Sequence, residues 1–151
     1  MALLVEKDYG TPAVKSDKTV TLDIDGKSVS VPEGTSVMRA AAEIGIDIPK
    51  LCASDNLNAF GSCRLCVCKV DGKRGTPASC TTPAEDGMKV TTQDAYLSKL
   101  RKGVMELYLS DHPVDAISEP GGAESELSQM VDAVGVTSVP YGLAGDNHFD
   151  T

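Results

Sequence analysis

A chain of 151 residues with 41% apolar content can bury one core, and it is too short to enclose a large cofactor-dependent active site as well. Its net charge of -8 is uneven: residues 1–84 carry ten basic and ten acidic side chains, whereas residues 103–151 hold nine acids and no Lys or Arg. That tail argues against nucleic acid and anionic membranes as partners, and its ordinary reading is a solvated acidic face. No run approaches the roughly 18 apolar residues of a membrane span, and Met1-Ala-Leu-Leu-Val-Glu6 turns acidic too early for a secretory signal, so a cytoplasmic protein without direct membrane insertion is expected.

Residues 1–18 lack periodicity and contain Gly10, Pro12 and three lysines, the composition of an N-terminal arm that orders only if something docks it. From Thr19 the run Thr-Val-Thr-Leu-Asp-Ile alternates, Asp25-Gly26 is a strong two-residue turn, and residues 27–31 alternate again, which predicts a β-hairpin. Pro32-Glu-Gly34 closes the second strand, and Thr35 or Ser36 can cap a helix. Val37, Ala40, Ala41 and Ile44 then fall at i, i+3, i+4 and i+7 before Gly45 ends that helix. Residues 46–64 form a loop punctuated by Pro49, Asn56, Asn58 and Gly61; residues 65–70 read as a strand turned by Asp71-Gly72, and residues 88–92 as another. Residues 19–92 are thus an α+β domain of ββαββ plan. Residues 93–151 form a helical region. Tyr96, Leu97, Leu100, Val104 and Leu107 mark one helical face stopped by Asp111-His112-Pro113. Leu127, Met130, Val131 and Val134 mark a second helix ended by Gly135, ahead of a Gly- and Pro-rich tail. No internal repeat is present.

Five cysteines without a secretion signal argue against a disulfide framework and for metal. Cys52 is followed by ten residues, Cys63, two residues, Cys66, thirteen residues and Cys80, so four thiolates can converge, as a 2Fe-2S cluster requires. In this reading the Cys63-x-x-Cys66 loop holds one metal centre and the two distant thiols close the site on a second iron. Gly61, Ser62, Gly72 and Gly75 would let backbone amides approach the sulfurs. A structural zinc uses the same donors and stays an alternative, although zinc ribbons usually show two Cys-x-x-Cys knuckles and this chain has one. A thioredoxin-type pair is disfavoured because the motif enters a strand and not a helix. Cys68, two residues past Cys66 on the expected strand, reads as a packing residue and a reserve ligand.

The segments Val31-Pro-Glu-Gly-Thr-Ser-Val37, Gly45-Ile-Asp-Ile-Pro-Lys-Leu-Cys52, Gly61-Ser-Cys-Arg-Leu-Cys66 and Ala78-Ser-Cys-Thr-Thr-Pro83 resemble the N-terminal ferredoxin domain of two related large subunits. These are the iron-sulfur subunit of bacterial NADH dehydrogenase and the catalytic (alpha) subunit of NAD-dependent formate dehydrogenases. The long first gap separates this class from plant-type ferredoxins, whose first two ligands stand about four residues apart. The resemblance implies a β-grasp, 2Fe-2S ferredoxin-like domain with Cys52, Cys63, Cys66 and Cys80 as ligands. It continues through Arg101-Lys-Gly-Val-Met-Glu-Leu-Tyr-Leu-Ser-Asp-His-Pro113, where the family holds a 4Fe-4S cluster by one His and three Cys. His112 matches the histidine, but the cysteine positions are Ala116, Glu119 and Ser125. Alanine has no ligating atom and the oxygen donors suit iron-sulfide chemistry poorly, so no 4Fe-4S cluster is expected and His112 reads as a helix-terminal residue.

Val139-Pro-Tyr-Gly-Leu-Ala-Gly-Asp-Asn-His-Phe149 resembles the stretch that leads into further clusters and the molybdopterin domain in formate dehydrogenases, which favours that branch. No dinucleotide fingerprint and no paired nucleophile is present, so no catalytic chemistry of its own is expected. The resemblance implies an electron-transfer subunit, with a flavin and NAD-binding subunit and a molybdopterin or iron-sulfur subunit as partners. It would dock through the acidic C-terminal region and the cluster loop. A freely diffusing ferredoxin and a zinc-stabilised assembly module are the competing functions.

Overall fold

The computed structural model describes residues 6–110 and 126–137. Two compact units, Met1–Thr92 and Gln93–Thr151, divide the chain.

In the first unit the alternating hairpin sets the sheet. Strands β1 (Thr19–Ile24) and β2 (Lys27–Pro32) pair antiparallel from Thr19↔Pro32 to Ile24↔Lys27, and Leu22, Ile24, Val29 and Val31 face the core. Asp25 and Gly26 both take left-handed φ, 51° and 82°, as a turn matching the strand twist requires, and Asp23 Oδ1 accepts the Gly26 N–H at 2.9 Å. Ser36 is the helix cap: its hydroxyl accepts the Arg39 N–H at 3.0 Å at the start of α1 (Val37–Glu43). The helix buries Val37, Met38, Ala40, Ala41 and Ala42 and stops at Gly45, where φ is 82° and the Ile46 N–H returns to the Ala41 carbonyl at 2.9 Å.

Strand β4 (Lys89–Thr91) lies parallel to β1, and β3 (Lys69–Val70) antiparallel to β4, giving the order β2-β1-β4-β3. This mixed sheet holding one helix is the α+β, β-grasp arrangement. The strand expected over residues 65–70 is reduced to two residues, because the stretch before it pairs elsewhere: Val67 bridges Ala78. The unit closes where the Asp25 carboxylate accepts both the N–H of Thr92, at 2.7 Å, and its hydroxyl.

The N-terminal arm is docked along residues 7–11. Lys7 Nζ donates to the Ala42 carbonyl at 2.7 Å, Tyr9 N–H to Asp55 Oδ1 at 2.9 Å, and Thr11 Oγ1 lies 2.6 Å from Ser36 Oγ. Arg39 stacks over the Tyr9 ring at 4.6 Å and bonds the Thr11 carbonyl at 2.8 Å. The arm therefore bonds at both ends of α1, adding to contacts that the Ala42 carbonyl and the Ser36 hydroxyl already make with the helix's own termini.

In the second unit Asp94 caps α2 (Ala95–Ser110) through the Leu97 N–H at 2.7 Å. The buried face is Leu97, Arg101, Met105 and Leu109. Tyr96 and Leu107, expected on that face, are 54% and 60% exposed; the stripe runs at i+4 steps and includes the buried Arg101. Helix α3 (Glu126–Val134) buries Val131 and Val134 and ends at Gly135, φ 81°. The expected stop at residues 111–113 lies outside the described residues, among which no helix is long and apolar enough to cross a membrane.

Candidate metal centre

All four sequence-predicted ligands lie in the first unit, and two pieces of backbone carry them. Leaving α1, the chain is anchored in the core by Ile48 and Ala53, so Cys52, just before Ala53, is held at the edge of the core and half-exposed. Asp55 fixes the far side of this turn: it accepts Tyr9 N–H and pairs with Arg39 at 3.3 Å. The loop returns through Gly61, where φ is 70° and a Cβ would stand 3.3 Å from the Thr81 side chain, so the backbone approach there leaves little room for a side chain. The Cys63 N–H then donates to Cys52 Sγ at 3.4 Å, and the Leu65 N–H to Cys63 Sγ at 3.5 Å. Arg64 between them takes φ 59°, an unusual conformation for a residue with a Cβ. It turns the chain so that Cys63 and Cys66 face different neighbours.

Cys66 is met by the second piece. Ser79 N–H donates to the Cys66 carbonyl at 3.1 Å and Cys68 N–H to the Pro77 carbonyl at 3.0 Å, on either side of the Val67–Ala78 bridge. This ladder brings Cys80 beside Cys66, and their side chains interact directly. The Cys80 segment is in turn fastened to the first turn of α1, because Val37 N–H donates to Thr82 O at 2.9 Å and Met38 N–H to Ser79 O at 3.1 Å. Two orphan donors of the helix thereby hold a cysteine loop in place.

The thiols group as Cys52 with Cys63 and Cys66 with Cys80, whereas the sequence reading places Cys63 and Cys66 on one iron. Gly72 and Gly75 turn the loop after β3, with φ of 83° and 75°, while the amides of Cys63 and Leu65 approach sulfur. Cys68 is buried in the core with its Sγ 3.6 Å from the Pro77 carbonyl. Among the described residues no three Cys, His, Asp or Glu side chains converge on a single ion position.

The electrostatics follow the same grouping. The hydrogen bond from Cys80 lowers the Cys66 thiol to about 6 against the opposing effect of burial. Cys80 is pushed well up, first by that same hydrogen bond, then by burial and by the neighbouring Cys66, Cys52 and Cys63. Burial also raises Cys63, partly offset by the Leu65 amide. The pair therefore favours holding a single proton, and binding a metal through both sulfurs would require that proton to leave. Four thiolates in two pairs fit a 2Fe-2S cluster, in which each iron takes two protein sulfurs. No geometric signal in the sequence pointed to Tyr9, Arg39 and Asp55 as supports of the Cys52 turn; their contacts span 16 to 46 residues.

A β-grasp sheet with four thiols gathered beside its helix defines a ferredoxin-like iron-sulfur domain. Residues 17–95 match the family described as 2Fe-2S iron-sulfur cluster binding domain, and the chain belongs to that family. It is 46% identical over 116 residues to an NADH-quinone oxidoreductase subunit of Streptomyces coelicolor, covering 75% of this chain and 14% of that protein. It is 39% identical over 135 residues to the NADP-reducing hydrogenase subunit HndD of Solidesulfovibrio fructosivorans, covering 86% and 23%. A crystal structure of NAD+-reducing [NiFe]-hydrogenase in the H2-reduced state contains a similar chain, with TM-score 0.71, 28% identity and coverage of 81% and 51%. The chain thus spans a quarter or less of the length of these two curated relatives. His112, Ala116, Glu119 and Ser125 lie outside the described residues.

Proposed function

We propose that Cys52, Cys63, Cys66 and Cys80 hold one 2Fe-2S cluster and that the chain relays single electrons within a multi-subunit NAD(P)-linked oxidoreductase. The observation that carries this reading is the gathering of four thiols as two pairs on a domain of the 2Fe-2S family. The relatives named as subunits of NADH-quinone oxidoreductase and of an NADP-reducing hydrogenase support the setting. The bound group supplies a one-electron couple at a fixed place. The protein's part is to ligate through four sulfurs, to direct the Cys63 and Leu65 amides at negative charge, and to exclude water through the core behind Cys66 and Cys80. The partners in this reading are a flavin and NAD-binding subunit on one side and a molybdopterin or iron-sulfur subunit on the other. Within the class, the formate dehydrogenase branch rests on residues 139–149 alone.

Metal analysis and purification from the native source test the reading together. The chain made with an intact iron-sulfur supply should hold two irons and two acid-labile sulfides and give one spin only when reduced. It should comigrate at moderate salt with a flavin-bearing and a second cofactor-bearing subunit. Stoichiometric zinc without sulfide would overturn the cluster, and a monodisperse free monomer from the native source would overturn the subunit role.

A further inference from the structure

The Ser79 hydroxyl is fully buried, at 0% exposure, and it is the buried side-chain polar atom without a hydrogen-bond partner among the described residues. Such a group is costly and calls for an explanation. Its position supplies one. Ser79 adjoins Cys80 in the chain, its N–H is bonded to the Cys66 carbonyl at 3.1 Å, and its own carbonyl is taken by Met38 N–H at 3.1 Å. Backbone bonds on both sides therefore fix the residue, and the hydroxyl is left within the wall around Cys66 and Cys80.

We propose that Ser79 is a positioning residue for the cluster, its Oγ–H donating to Cys66 Sγ once both Cys66 and Cys80 are bound to iron as thiolates. This rests on the ligand assignment above. Without metal, Cys66 already receives a hydrogen bond from Cys80, and the nearness of Ser79 is a lesser influence that also favours the Cys66 thiolate. A ligating thiolate carries no proton, so a metal-bound Cys80 would donate no such bond. The Ser79 hydroxyl is then the buried donor next to the pair, and a change of its side-chain rotamer would carry it to the sulfur. A hydrogen bond to a cluster sulfur stabilises the state with more negative charge, so it raises the reduction potential. Reduction adds one electron, supplied in a titration by dithionite, and no protein bond forms or breaks.

The test is a redox titration of the reconstituted full chain, read by electron paramagnetic resonance, on wild type, Ser79→Ala, Ser79→Gly and Ser79→Thr. Removing the hydroxyl should lower the reduced-to-oxidised ratio at fixed applied potential about tenfold, about 59 mV for a one-electron couple. Ser79→Thr keeps the donor and should return the potential toward wild type. Ser79→Gly gives the same reading should the alanine variant not assemble. A wild-type potential in the alanine or glycine variant with its cluster intact overturns the proposal, and so does a threonine variant shifted as far as alanine. Failure of the ligand assignment reads differently, since the wild-type protein would then hold no 2Fe-2S cluster to titrate.

Discussion

Single residues decide whether the site can hold a cluster, and here the sequence is most legible. One Cys-x-x-Cys flanked by two distant cysteines points to four soft donors, and the structure gathers those same thiols. Their pairing was not legible, because it depends on the left-handed Arg64 and the Val67–Ala78 bridge, and neither is encoded by residue type at those positions. The ligand assignment predicts that serine in place of Cys52, Cys63, Cys66 or Cys80 abolishes or strongly shifts the visible and paramagnetic spectra of the reconstituted protein. Cys68→Ala should leave both spectra nearly unchanged while lowering stability by about 1 kcal/mol through a small cavity. Equal spectral damage at Cys68 would show that the wrong four thiols are assigned.

At the scale of elements, the hairpin and α1 follow from period-2 and period-3.6 patterns that local sequence carries in full. The arm and the stripe of α2 do not. Docking of the arm depends on contacts across 25 to 46 residues, and the inner face of α2 includes an arginine that a hydrophobicity pattern assigns to solvent. The arm fixes Asp55, three residues after Cys52, so loosening it should be felt at the metal. A double-mutant cycle of Arg39→Ala and Asp55→Ala, followed by denaturant unfolding, should return a coupling of about 1 kcal/mol for this half-buried pair. Gly10→Ala provides an independent check: φ is 89° and the added Cβ would fall on the Met38 side chain. A loss of about 1–3 kcal/mol is expected, together with faster release of iron to a chelator. A variant as stable and as slow to lose iron as wild type would mean the arm does not support the Cys52 turn.

For the whole molecule, the expected count of clusters is one. Three of the four positions of the second family site carry no sulfur, at Ala116, Glu119 and Ser125, so iron should stay near two per chain and His112→Ala should leave the reduced spectrum unchanged. Iron near six, or a second spin system lost with His112, would overturn that reading. Within the first unit the cysteines are unequally covered. Of the five thiols only Cys52 is half-exposed; the others are buried, and the nearby Leu57 and Phe60 stand 60% and 70% open to solvent. Among the described residues the Cys52 turn is thus the bared end of an otherwise sheathed wire: a cluster held by these thiols would exchange charge, and meet dioxygen, most readily there.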